Sequence, residues 1–132
     1  MPTELVLISH GHLADEMKKS CEMIMGSQDH IRTVALLPED SQESFYERFK
    51  ETTKDINDQE ILVFADLMGG TPANTIYKAI ASGANIHLMT GMNLAMIIEW
   101  VNSQILSQES DYLDAARNGL VDVNELVKSL NN

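Results

Sequence analysis

Two short apolar runs with similar endings constrain this chain most. Leu5-Val6-Leu7-Ile8-Ser9 stops at His10-Gly11, and Ile61-Leu62-Val63-Phe64-Ala65 stops at Asp66, followed by Gly69-Gly70-Thr71-Pro72. Each run is too short for a helix and nearly free of polar residues. That is the pattern of a strand covered on both faces, as in a parallel sheet. A helical pattern follows each run, so the chain alternates β and α.

The alternation continues along the sequence. Strands are expected at 4–9, 31–37, 60–65 and 85–89. Helices are expected at 13–25, about 41–56, 71–82 and 93–104. In the first helix Leu13, Met17, Cys21 and Ile24 recur at a period near 3.6, and in the second Phe45, Phe49 and Ile56 point inward. Asp40 and Glu43 suggest a capping box for the second helix. Thr71-Pro72 reads as an N-cap followed by proline at the first helical position, Gly83 as a stop, and Asn93 as another cap. The end of the chain is less regular: Tyr112–Arg117 looks helical, 119–123 reads as a short edge strand, and Asn124–Leu130 as a last helical turn or two. The expected architecture is α/β: an open, mostly parallel sheet of four strands between two helical layers, with 119–123 as a candidate fifth, antiparallel strand. At 132 residues, one domain over 1–132 can hold one ordinary core.

Composition narrows the function. Nine Lys and Arg against twenty Asp and Glu give a formal charge of −11. Such a surface repels nucleic acid and anionic membranes. The single cysteine, Cys21, excludes an internal disulfide and a thiol metal cluster, and its helical spacing places it in the core. Most of the eight methionines read as core filler. No secretory signal or membrane-spanning run is visible, so the expected location is cytoplasmic, with no membrane insertion.

Strand carboxyl ends line the ligand crevice of an open α/β sheet. If the two apolar runs are parallel neighbours, His10 and Asp66 share that crevice. Imidazole is nucleophilic in the neutral form abundant near neutral pH. A carboxylate on one ring nitrogen would fix the tautomer and aim the other nitrogen. Gly11 leaves room for a bulky group. Gly69, Gly70 and Thr71 open a helix whose free N–H groups suit a phosphate. There is no nucleotide-binding P-loop, dinucleotide fingerprint or hydrolase elbow, and Ser9 is not a convincing nucleophile. No metal and no cofactor is expected. His12 reads as a helix-surface residue near the site, His30 as a solvated turn residue and His87 as a core residue in mid-strand.

Three segments together resemble the IIA domain of the mannose–fructose–sorbose family of the sugar phosphotransferase system. They are Ile8-Ser9-His10-Gly11, Asp66-Leu67-Met68-Gly69-Gly70-Thr71-Pro72-Ala73-Asn74 and Thr90-Gly91-Met92-Asn93-Leu94, and the resemblance spans about residues 4–101. It implies a phosphotransferase in which His10 carries the phosphoryl group and Asp66 pairs with it. Gly69–Thr71 would then lie against that group. Implied partners are the histidine phosphocarrier protein (HPr) as donor, a IIB component as acceptor and a second copy in a homodimer. The absence of a Pro/Ala-rich linker suggests that IIB is a separate polypeptide. Leu67-Met68 stands where an aromatic is common in the family, and Leu94-Ala95-Met96 lacks a proline common there. Two alternatives stay open: a IIA-like subunit of a dihydroxyacetone kinase, and a receiver module phosphorylated on Asp66.

Overall fold

The computed structural model describes residues 2–131. Four strands, β1 (Glu4–His10), β2 (Ile31–Leu36), β3 (Ile61–Ala65) and β4 (His87–Thr90), alternate with helices α1 (Leu13–Met25), α2 (Gln42–Thr52), α3 (Thr71–Ala81) and α4 (Leu94–Leu106). Helices α5 (Tyr112–Asn118) and α6 (Val123–Leu130) follow, and a 3-10 turn at Asp58–Glu60 leads into β3. All pairings are parallel, in the order β2-β1-β3-β4.

This order places the site. From β1 the chain steps outward to β2, then returns across β1 to β3 and continues to β4. Right-handed crossovers then require α1 on one face and α2 and α3 on the other. The two cores follow that division. Leu5, Leu7, Leu62 and Phe64 pack with Ala14, Cys21, Met96, Ile97 and Trp100, while Val6, Ile8, Val63 and Ala65 pack with Phe45, Phe49, Ala73 and Ile76. The alternation along β1 and β3 thus splits one apolar run between two cores. The direction of travel reverses between β1 and β3, and their carboxyl ends diverge there into a crevice.

Local signals explain most element ends. Asn93 caps α4 by accepting from Met96 N. Gly83, at φ +111, follows the last residue of α3's cap, a conformation that favours glycine. Several expectations need correction. The capping box of α2 is Ser41 with Ser44, not Asp40 with Glu43. Asp40 instead accepts from Leu37 N and from Arg48, tying the β2–α2 loop to the helix. Helix α2 ends at Thr52, where the Thr53 hydroxyl donates to Phe49 O; Ile56 still packs against the core from outside the helix. In α1 Ala14 and Cys21 are buried, with Met17 and Met25 partly buried against the same core, while Leu13 and Ile24 are exposed. Met96 is buried, and Met17, Met25, Met89 and Met92 pack on the same core, but Met23 and Met68 face solvent.

Residues 119–122 form no strand. Asp122 accepts from Glu125 N and starts α6 at Val123. An Asp with Glu three positions later is itself a capping signal, and it outweighs the β propensity of Val121 and Val123. Helix α6 buries no residue: Val123, Leu126, Val127 and Leu130 stand exposed along it. His87 opens β4, the edge strand, and is exposed rather than buried in mid-strand. His30 is exposed as expected, with Nδ1 2.9 Å from Glu4 Oε1. No helix among the described residues is long and apolar enough to cross a membrane.

Candidate functional site

Strand β1 runs past its last pairing with β3, Ile8 opposite Ala65, and carries His10 to the open end of the sheet. On β3 the next residue is Asp66, whose N–H still donates to Ile8 O. Parallel register therefore sets His10 and Asp66 side by side, although 56 positions separate them. Asp66 Oδ2 accepts from the backbone N–H of His10 at 2.9 Å and lies 2.8 Å from His10 Nδ1. The backbone bond holds the carboxylate, and the carboxylate holds the ring. With the proton on Nδ1, Nε2 keeps its lone pair free. The His10 side chain is 48% exposed and that of Asp66 only 12%. Asp66 Oδ1 is buried without a hydrogen-bond partner. Its negative charge is thus concentrated behind the imidazole, where it favours positive charge developing on the ring.

Gly70 sits against the other side of the ring. A Cβ placed there would lie 2.5 Å from His10 Cε1 and 3.2 Å from Nε2. With the ring in this position, only a residue without a side chain fits. Gly70 is also the N-cap of α3 and offers no side-chain cap; Thr71 is the first helical residue rather than the cap expected from sequence. First-turn N–H groups have no intrahelical acceptor, and Pro72 has no N–H to satisfy. The uncapped, positive end of α3 therefore opens beside Nε2, as an anion site requires.

Other residues brace this arrangement. Gly69, at φ +87, turns the loop, and the Asn74 amide donates to its carbonyl at 3.1 Å. Gly11, at φ +57, turns the chain from β1 into α1, and its N–H donates to Leu36 O. Buried Ser9 donates to Gly11 O and accepts from Ala14 N, stapling strand to helix. Ser9 thus shapes the turn rather than acting as a nucleophile. The bracing roles of Ser9 and Asn74 are not apparent from sequence, because each depends on a turn conformation. Leu13, at the start of α1, and Leu67 and Met68, in the loop after Asp66, are exposed, at 50%, 59% and 62%.

The family model for the mannose-type EIIA domain, described as the fructose IIA component of the sugar phosphotransferase system, matches residues 4–117. The chain belongs to this family. The fructose-specific EIIA component of Bacillus subtilis (strain 168) is 27% identical over 96 residues, covering 72% of this chain and 66% of the relative. The mannose-specific EIIAB component of Escherichia coli (strain K12) is 23% identical over 100 residues, covering 75% of this chain and 31% of the relative. This EIIA-family chain thus spans about a third of that two-part protein. The structure of a IIA protein associated with the fucose utilization operon of Streptococcus pneumoniae superposes with a TM-score of 0.83 at 26% identity, covering 96% of this chain and 99% of the other. The mannose/sorbose-specific IIA subunit from Enterococcus faecalis gives 0.80 at 28% identity, covering 92% and 94%. The match to 117 takes in nearly all of α5, beyond the resemblance noted in the sequence, which ends near residue 101.

Proposed function

We propose that this chain is a cytoplasmic phosphoryl carrier for sugar uptake. His10 accepts a phosphoryl group from the phosphorylated histidine phosphocarrier protein and passes it to a IIB component. The observation that carries this reading is the His10 ring held between Asp66 Oδ2 and Gly70. In the forward step the Nε2 lone pair forms a bond to phosphorus as the donor's nitrogen–phosphorus bond breaks, and the donor nitrogen keeps that electron pair. Asp66 stabilises the positive charge left on the His10 ring, and the N–H groups opening α3 accommodate the phosphoryl oxygens. The second transfer runs the same geometry in reverse. Positioning and charge stabilisation suffice for such a transfer.

The exposed Leu13, Leu67 and Met68, in the two segments that leave His10 and Asp66, favour a protein donor, since apolar residues beside a polar centre are typical of docking faces. The receiver alternative fits less well, because one Asp66 oxygen is engaged by His10 and the other is buried. The family likeness supports the partners and a homodimer.

The test is incubation with phosphoenolpyruvate, enzyme I and the phosphocarrier, followed by mapping of an acid-labile, base-stable phosphate. Label on His10, lost in His10→Gln, is the expected result. Label retained by His10→Gln would refute the assignment.

A further inference from the structure

The loop that lies against the His10 ring contains two successive glycines, and each has its own cause. Gly69 adopts φ +87, a conformation that residues with a side chain rarely adopt. Gly70 lies so close to the imidazole that a Cβ would collide with Cε1. The peptide between them is therefore flanked on both sides by the least restricted residue type. The loop's own turn restrains it little: Gly70 N–H donates to Leu67 O at 3.4 Å, longer than the usual range of about 2.7–3.2 Å. The wall that holds the ring thus stands on a peptide that is intrinsically free to turn.

Asn74 restrains that peptide through two successive carbonyls. Its side-chain amide donates to Gly69 O at 3.1 Å, and its backbone N–H donates to Gly70 O at 2.9 Å. The backbone bond belongs to the ordinary ladder of α3 and is open to any residue here except proline. The side-chain bond is not, because it needs an N–H donor of asparagine's length. The amide nitrogen is the atom that faces Gly69 O, since the amide oxygen would there meet a second acceptor. With Gly69 O drawn toward α3, the plane of the Gly69–Gly70 peptide is set. The place of Gly70 against His10 Cε1 and Nε2 is set with it. Among the described residues Asn74 makes no hydrogen bond to His10 or Asp66, so its influence on the ring runs through the loop.

We infer that Asn74 is a positioning residue for phosphoryl transfer: it locks the Gly69–Gly70 peptide, and through Gly70 it keeps the His10 ring against Asp66. The inference rests on the proposed transfer to His10. It assigns Asn74 no contact with the phosphoryl group or the donor, so its loss acts on the transfer step and not on docking. Alanine at this position preserves α3, since it is the best helix former and retains the backbone bond to Gly70 O.

The experiment combines rapid-quench rates of His10 labelling by the phosphorylated phosphocarrier with the NMR signal of the His10 Cε1–H group. It compares wild type, Asn74→Ala, Asn74→Asp, Gly70→Ala and the double variant of Asn74→Ala with Gly70→Ala. Asn74→Ala should lower kcat about five- to tenfold, the worth of one neutral hydrogen bond, with KM for the phosphorylated carrier within about twofold of wild type. Asn74→Asp is isosteric but lacks the donor, and should slow labelling at least as much. Gly70→Ala displaces the ring by itself, so the double variant should be no more than about twofold slower than Gly70→Ala alone. In the unphosphorylated protein the Cε1–H signal should move in Asn74→Ala, because that atom lies against Gly70. Wild-type rates in Asn74→Ala or Asn74→Asp would overturn the inference while leaving His10 as carrier. So would an unmoved Cε1–H signal, losses that multiply in the double variant, or a rise in KM at constant kcat. A wild-type chain that takes no label on His10 would overturn the functional reading and this inference together.

Discussion

Replacing Gly70 by alanine tests the site through its tightest contact. The backbone there has φ −82 and ψ 163, which alanine adopts without strain. The new Cβ would lie 2.5 Å from His10 Cε1. Carbon atoms pack at about 3.5–4.0 Å, so the ring must retreat by ~1 Å or more. It can move only outward, because Asp66 stands behind it. That movement stretches the 2.8 Å Nδ1–Oδ2 contact beyond hydrogen-bond range. A ~1 Å misplacement of a reacting group costs about a hundredfold in rate. Stability should hardly change, since the half-exposed ring swings into solvent; a shift under about 1 kcal/mol is expected. The assay pairs rapid-quench measurement of His10 labelling with thermal melting. A labelling rate within threefold of wild type would refute the claim that the Gly70 contact holds the ring in register.

Three further outcomes follow from the same structure. Asp66→Asn should fold but lose about a hundredfold or more in transfer rate, because the imidazolium loses its counter-charge; unchanged kinetics would remove Asp66 from the step. Asp40 has its pKa depressed, chiefly by the bond from Arg48 and then by Leu37 N–H. Its stabilisation is therefore complete above the ordinary carboxylate value of ~3.9 and lost as pH falls toward the lower folded value. Urea melts between pH 5 and 2 should show a steeper acid loss for wild type than for Arg48→Gln; parallel curves would contradict this. Because α6 buries nothing, a chain ending at Gly119 should melt within about 2 °C of the full chain; a larger drop would place α6 in a packing contact.

Much of the fold was legible because it is local. The strands over Leu5–Ser9 and Ile61–Ala65 needed only an apolar run and a turn signal, and Asn93 announced α4 as a side chain that can accept from the next turn. Misplaced details arose where two local signals competed. Asp40 and Glu43 had the right spacing for a box, but Arg48 engages Asp40, leaving the cap to Ser41. Val121 and Val123 suggested a strand, but Asp122 could cap a helix with Glu125 N–H and did. His87 looked buried because its neighbours are apolar; its place at the start of an edge strand is a property of the sheet, not of the segment.

The sequence by itself determined the elements, their order and the chemical groups at their ends. Hydrophobic period and capping act over a few residues and need no distant partner. It nominated His10, Asp66 and Gly69–Thr71, joined by the condition that the two apolar runs be parallel neighbours and by the resemblance. Tertiary structure alone decided that β1 and β3 are neighbours, because pairing across 56 residues depends on two cores closing over both sheet faces. From that pairing came the two hydrogen bonds on Asp66 Oδ2, the uncapped end of α3 beside Nε2, and the reason position 70 has room only for glycine.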